Sequence, residues 1–372
     1  MKLLFWSSLS LIFFTYAGYP ICLYLRARFW PRPIRRGSVL PSVTILISVH
    51  NEEIYLPAKL QNLAQVDYPA DRLQIVVVSD GSTDATNKIL AAWENPALRT
   101  VILPEHGGKA TALNYGVAAA NGEVIAFTDA RQTIASEALK NLVANFADPA
   151  VGCVSGELMI GQGEVAAAQG VGLYWRMEKQ IRHWEGLAGS TVGATGALYA
   201  VRKNLISPLP PGTILDDVYI PLQVVRQGQR VVFEPRALAF DPLTPNPKQE
   251  FRRKLRTLTG NYQLLQLAPW ILTRPNPLRL QFICHKLLRL LVPFALVGML
   301  ISTLWLRKDI YELALLLQLV FYALAGLRLS PRKFGIVSRL SDISLAFLVL
   351  NTAAALAFLY FITGRKAIWS RT

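Results

Sequence analysis

Four stretches of the chain are apolar and almost free of charge, and the interval after the first of them alternates apolar runs with polar clusters. Residues 3–25 carry no charge. As a helix that run is long enough to cross about 30 Å of hydrocarbon. Residues 290–306 and 343–364 are also uncharged, and 310–327 holds Glu312 alone. A signal peptide has a shorter apolar region that ends in small residues. The first run ends in Tyr24-Leu25-Arg26, which predicts an uncleaved anchor.

Residues 41–241 predict alternating strands and helices. Val43–Val49, Leu73–Val78 and Val124–Phe127 are short apolar runs rich in β-branched residues. Each ends in a polar cluster: His50-Asn51-Glu52-Glu53, Ser79-Asp80-Gly81-Ser82-Thr83-Asp84, and Thr128-Asp129. Helical patterns lie at Glu53–Leu63, Asp84–Trp93 and Lys109–Ala119. This order implies βαβ units, an α/β fold and a mostly parallel sheet. Ligands in such sheets bind beyond the carboxyl ends of the strands, where all three acidic clusters fall.

Charge changes the picture. Lys plus Arg number 39 against 24 Asp plus Glu, a net charge of +15, yet 52% of residues are hydrophobic and only 17% charged. A basic chain this apolar, with a mean hydropathy of +0.31, is neither a disordered tail nor a soluble nucleic-acid binder. It reads as an integral membrane protein with positive charge at a membrane face. Arg26, Arg28, Arg32, Arg35 and Arg36 follow the first run, and no acid appears before Glu52. The positive-inside rule then places the middle domain in the cytoplasm, at an inner membrane of bacterial type. Arg328, Arg332, Lys333 and Arg339 mark a second cytoplasmic segment, which leaves Arg365, Lys366 and Arg371 outside.

Residues 242–289 are basic with interleaved apolar positions and read as helices lying at the membrane surface, facing anionic lipids. The expected organisation is a membrane helix over 1–26, a cytoplasmic domain over 27–241, interfacial helices over 242–289, three membrane helices over 290–364, and a tail over 365–372. Three cysteines, at 22, 153 and 284, make neither a disulfide framework nor a zinc motif. Cys22 and Cys284 read as packing residues, His285 as a membrane-interface residue, and His183-Trp184-Glu185 as surface packing or an edge of an acceptor site.

The polar clusters carry the candidate chemistry. No dinucleotide glycine fingerprint, P-loop, zinc-protease or nucleophile-elbow motif is present. Asp80 follows a buried strand, where a carboxylate accepts hydrogen bonds from a base or ribose; Ser82 or Asp84 as a helix cap is the plainer reading of the same turn. Gly107-Gly108-Lys109 opens a helix and suits an approaching phosphate. Asp129 at a strand end suits a hard cation that bridges a diphosphate. Asp216-Asp217 places two like charges side by side before Val218–Val225, which points to a general base or a metal contact.

Together and in this order, these pieces resemble the membrane-bound family-2 glycosyltransferases, a group that includes cellulose, hyaluronan and poly-N-acetylglucosamine synthases and ceramide glucosyltransferase. The resemblance rests on Ser48-Val49-His50-Asn51-Glu52-Glu53, Val78-Ser79-Asp80-Gly81-Ser82-Thr83-Asp84, Gly108-Lys109-Ala110-Thr111-Ala112-Leu113-Asn114, Thr128-Asp129-Ala130, Thr195-Gly196-Ala197 and Leu215-Asp216-Asp217. It covers about residues 40–260. It implies a GT-A-type nucleotide-sugar-binding domain flanked by transmembrane and interfacial helices, and a donor that is usually UDP-linked. By resemblance Glu52 and Asp80 hold the nucleoside, Lys109 approaches the diphosphate, and Asp129 meets its Mg²⁺ or Mn²⁺. Asp217 is then the general base, while Asp216, where a Glu is usual, and Gly196 border the acceptor side.

Two positions depart from the family pattern. Arg131 stands where the second Asp of D-x-D is expected, and an arginine ligates no metal. The Q/R-x-x-R-W motif has its nearest match in Arg253-Lys254-Leu255-Arg256-Thr257. Both arginines that would clamp diphosphate are present, but Thr257 replaces the tryptophan that helps form the acceptor site in processive synthases. The expected function is inverting transfer of a sugar from a nucleotide-sugar to a polysaccharide or lipid acceptor at the inner membrane face. The alternative is a non-catalytic nucleotide-sugar-binding membrane protein or transporter-like scaffold, which the scarcity of charge inside the spans disfavours.

Overall fold

The computed structural model describes residues 1–160, 171–242, 247–327 and 335–364. Helix α1 (Lys2–Phe29) opens the chain, with a π-turn at Phe14–Gly18. A first series of strand–helix units then runs β1 (Val43–Val49), α2 (Leu56–Ala64), β2 (Leu73–Asp80), α3 (Thr86–Ala92), β3 (Leu98–Leu103), α4 (Lys109–Ala119), β4 (Val124–Thr128). The second half is β5 (Thr133–Ile134), α5 (Ala138–Val143), β6 (Val151–Ile160), α6 (Val171–Ala188), β7 (Leu198–Arg202), α7 (Asp216–Arg226), β8 (Arg230–Asp241). Four helices come next: α8 (Pro247–Leu267), α9 (Arg279–Leu306), α10 (Asp309–Leu327) and α11 (Gly335–Ile362).

The eight strands form one sheet in the order β3-β2-β1-β4-β7-β6-β8-β5. β1 is paired in parallel with β2 on one side and β4 on the other, Val43 lying opposite both Leu73 and Val124. The carboxyl ends of these strands are therefore level, and the chain winds outward from the β1–β4 boundary in both directions. That boundary is a topological switch point, the crevice where such sheets bind ligands. The sheet is mixed, as β7 runs antiparallel to β4 and β6. A short β-branched run announces a strand without announcing its direction.

Alternate residues of β1 enter opposite cores. Leu46 joins Val76, Val78 and Phe127 on one face, while Ile45 and Ile47 join Ile75 and Val77 on the other. Both faces are covered, so these strands read as continuous apolar runs rather than alternating ones. Arg72, Glu123 and Arg202 line a polar cavity at the opposite, amino-terminal edge of the sheet, which contains none of the candidate acids.

Among the described residues four helices are long and apolar enough to cross a membrane: Lys2–Phe29, Arg279–Leu306, Asp309–Leu327 and Val337–Ile362. Their outward faces expose residues such as Leu304, Trp305, Leu313 and Leu317. The second begins eleven residues before the uncharged run at 290, and its first turns hold Arg279, His285, Lys286 and Arg289. Hydropathy ends the apolar run at those charges, but His285, Lys286 and Arg289 pair with Glu178 and Glu185 of α6. Of the segment expected to be interfacial, Pro247–Leu267 forms one helix, while Arg279 onward belongs to the long apolar one. α8 lies against α11, with Tyr262 stacked on Phe361 at 5.2 Å. The basic positions 328–334 and the tail 365–372 fall outside the described residues.

Candidate active site

The loops after β1, β2 and β4 meet at the switch point. Asn51, in a left-handed conformation, accepts the Thr83 amide at 2.8 Å. Glu53 and Asp84 cross-cap each other's backbone: Ala85 N–H donates to Glu53 at 2.9 Å and Glu53 N–H to Asp84 at 3.1 Å. Asp84 also caps its own helix through the Thr86 amide at 3.0 Å. Of the two caps the sequence offers for this turn, Asp84 makes the contact.

Asp80 is only 2% exposed. Its two carboxylate oxygens accept the amides of Gly107 and Gly108, each at 2.8 Å, and His106 Nδ1 lies 2.8 Å away. Asp80 therefore ties the glycine turn to the end of β2. Gly81 has φ +61°, and a Cβ there would sit 2.4 Å from the His106 nitrogen, so glycine is required on both counts. The His50 and His106 rings lie 4.0 Å apart, tilted by 36°, beside this carboxylate.

Lys109 is the first residue of α4. Its ammonium donates to Asp129 at 3.0 Å and meets Asp216 at 3.2 Å. Burial alone would push this ammonium down, but Asp129, Asp216 and Asp217 outweigh burial and hold it well above the usual lysine value. One cation thus joins the ends of β4, α4 and α7. Asp216 is buried and also accepts the Tyr199 hydroxyl at 3.3 Å. Tyr199 in turn stacks on Phe127 at 4.7 Å.

Asp217 is half-buried, and the Gly196 amide donates to its carboxylate at 3.1 Å. Burial, and then the adjacent Asp216, push its carboxyl up to about 6, against the pull of Lys109, Arg182 and Lys286. A Cβ on Gly196 would lie 3.1 Å from that carboxylate oxygen. Gly196→Ala is accordingly expected to displace Asp217 by a few tenths of an ångström and cut turnover about tenfold with the fold intact. Steady-state kinetics alongside a circular-dichroism melt checks this.

Glu52 is half-buried beside the cleft, and its carboxyl is raised by burial and then by Asp129, against Arg131. Arg131 is ion-paired with Asp241 at the end of β8, and Arg253 of α8 approaches the same carboxylate at 3.8 Å. The residue at the second D-x-D position and the first arginine of the helix motif thus share one acid. Arg256 is exposed one turn further along.

Among the described residues no group of three or more His, Cys, Asp or Glu is arranged to hold a metal on its own. The oxygen donors that do exist, Asp129 with Glu52 in electrostatic reach, suit a hard divalent cation that takes its remaining ligands from a diphosphate.

The structure adds residues that no motif announces. Lys59 is 1% exposed, and its ammonium donates to Thr128 Oγ1 at 2.8 Å and the Gln132 carbonyl at 2.7 Å, directly behind Asp129. Burial pushes that ammonium down to about 7. The signal for it was present, because Leu56, Lys59, Leu60 and Leu63 fall on one face of α2, so a lysine occupies the apolar stripe. His285 and Glu185, expected at an interface or a surface, are 1% and 0% exposed and bonded to each other.

Residues 44–207 match the family described as Glycosyl transferase family 2. The segment is a family 2 glycosyltransferase domain. The chain is similar to a probable glycosyltransferase of Bacillus subtilis, YdaM, at 29% identity over 60% of this chain and 56% of that one. It is similar to the beta-monoglucosyldiacylglycerol synthase of Synechocystis at 25% identity over 72% of this chain and 58% of that one. It therefore spans less than two thirds of the length of these curated relatives. Among solved structures, the fold matches a mannosyltransferase of Pyrobaculum calidifontis, determined with GDP-Man and Mn²⁺. The TM-score is 0.72 at 24% identity, covering 97% of this chain and 99% of the other. The glycosyltransferase domain thus has a GT-A-type mixed sheet, with Asp80 and Asp129 at the carboxyl ends of β2 and β4 and Asp216 and Asp217 at the start of α7.

Proposed function

We propose that the protein transfers a sugar, with inversion, from a nucleotide-sugar to a hydroxyl of a lipid or glycan acceptor, at the membrane face occupied by the domain. The observation that carries this reading is Asp217: a half-buried carboxylate held by the Gly196 amide and raised to about 6. A base of that strength is ionised at neutral pH and still takes up a proton readily.

Asp217 accepts the proton of the acceptor hydroxyl. That oxygen bonds to the anomeric carbon from the face opposite the leaving group, the bond from the anomeric carbon to the phosphate oxygen breaks, and nucleoside diphosphate departs. Lys109, Arg253 and Arg256 neutralise the charge that develops on the diphosphate. Glu52 and Asp80 face the nucleoside. Asp129, with Glu52 near, would hold a Mg²⁺ or Mn²⁺ shared with the diphosphate, which when bound supplies further stabilisation of that charge. Arg131, fixed to Asp241, supplies a positive charge where a second metal-binding acid would stand. The resemblance favours a UDP-linked donor, whereas the Pyrobaculum mannosyltransferase was solved with GDP-Man. The name of the Synechocystis relative supports a lipid acceptor. The basic residues in the last turn of α1 and just after it support a cytoplasmic domain.

The test is donor turnover by the full chain in lipid nanodiscs, with UDP-glucose, UDP-GlcNAc, UDP-galactose and GDP-mannose, each with Mg²⁺, Mn²⁺ or EDTA. One donor is expected to release its nucleotide, and the size of the product separates glycolipid from polymer. Asp129→Asn is expected to lower turnover at least about tenfold and to weaken its response to EDTA. Binding of a donor without turnover under any condition would favour the non-catalytic reading instead.

A further inference from the structure

We propose that Glu185 is a positioning residue through which two membrane helices set the geometry of Asp217; the inference rests on the reading of Asp217 as the base. Glu185 lies on α6 with no exposed surface. One of its oxygens accepts the Tyr19 hydroxyl of α1 at 2.8 Å and His285 Nδ1 of α9 at 2.8 Å. Its other oxygen accepts the backbone amide of Val192 at 3.2 Å. Val192 opens the segment that holds the base: the Ala194 amide donates to the Asp217 carbonyl at 2.7 Å, and the Gly196 amide donates to its carboxylate at 3.1 Å. A continuous series of bonds therefore runs from two membrane helices to both ends of Asp217.

The backbone of each helix is adapted to this contact. Tyr19 comes directly after the π-turn Phe14–Gly18, and His285 lies inside the π-turn Ile283–Leu287. A π-turn inserts one residue and rotates the remainder of the helix by about 100°. In both helices this irregularity falls beside the residue that reaches Glu185. The electrostatics agree. The other ring nitrogen, His285 Nε2, lies 3.0 Å from Glu178. Glu178 also takes Arg289 at 2.6 Å, Lys286 at 3.5 Å and Arg182 at 3.7 Å. Burial would raise the Glu178 carboxyl, but His285, Arg289 and Lys286 outweigh it and hold it well below the usual range. These pairs fasten the domain to α9. A fastening alone needs no bond to the Val192 amide, and that bond is what joins the network to the base.

The full chain in nanodiscs, compared with Glu185→Gln and Tyr19→Phe, tests this. Glutamine offers one acceptor and one NH₂, while the donors approach both oxygens of Glu185. Its single oxygen cannot accept from both Val192 and the Tyr19–His285 pair, as the carboxylate does. Turnover per donor-binding site is expected to fall about tenfold in Glu185→Gln and by less in Tyr19→Phe, with donor affinity within twofold of the parent. Amide hydrogen exchange across 190–197 should quicken in both variants, while that of β1 and β2 stays unchanged. A mere anchor would lower the number of donor-binding sites but leave turnover per site and exchange across 190–197 at parental values, and that outcome overturns the proposal. If the parent shows no Asp217-dependent turnover, the functional reading fails, and the exchange arm alone still decides whether Glu185 holds the 190–197 segment.

Discussion

Asp217→Asn is expected to lower sugar transfer by about 10²–10⁴-fold, the usual contribution of a general base, while donor affinity stays within twofold. Asparagine keeps the oxygen that accepts the Gly196 amide and loses only the proton-accepting charge. The parent should show a matching pH dependence. With the Asp217 carboxyl at about 6, turnover falls about tenfold per pH unit below that value. Burial sets most of the shift and Asp216 adds to it, so Asp216→Asn should move the acid limb to lower pH. Stability changes in the opposite sense. The folded carboxyl is raised above its unfolded value, so between about pH 4 and 6 the folded state binds more protons, and stability falls as pH rises through that window. The neutral variant escapes that loss, so its melting temperature at pH 7 should be no lower than the parent's. Kinetics across pH 5–8 and thermal unfolding of the same preparations check both halves.

Lys109→Met should weaken donor binding at least about tenfold, because the ammonium at the start of α4 is the cation that joins Asp129 to Asp216. Its removal leaves the buried Asp216 without its counter-charge. Breaking a fully buried pair costs about 3–5 kcal/mol; Lys109 and Asp129 are more than a third exposed, so a loss of about 2–3 kcal/mol is expected. The acid limb should move up, the reverse of Asp216→Asn, because Lys109 is one of the charges that pull the Asp217 carboxyl down. Titration calorimetry with nucleoside diphosphate, denaturant unfolding and the pH profile read the three effects separately. A variant with unchanged donor affinity would remove Lys109 from the diphosphate site.

Much of the first half of the domain was legible residue by residue. Val43–Val49 and Lys109–Ala119 were predicted with the ends they have, since each is a local pattern with its own stop signals: a polar cluster after the strand, paired glycines before the helix. Asp129, Lys109, Asp216 and Asp217 were all named from sequence, and the fold brings them around one ammonium. The second half was harder to read. β7 is five residues long and enters the sheet antiparallel, and no local pattern distinguishes the direction of a short buried strand. Glu185, Glu178 and His285 were invisible as a group because their partners lie about a hundred residues apart in the chain.

The sequence by itself determined what depends on neighbours along the chain: four apolar helices, the strand–helix alternation, and the acids that end the strands. These arise from periodicity and from the free energy of burying apolar side chains, which act over one turn or one strand. Only the tertiary structure decided which charges share a space. It placed Lys109 among three carboxylates, tied Asp80 to the glycine turn, paired Arg131 with Asp241, and made a charged segment the first turns of a long apolar helix. The physical reason is that a buried ion is tolerated only beside its counter-ion and donors. For the buried Glu185 of α6 those partners come from α1 and α9, elements that nothing short of the folded chain brings together.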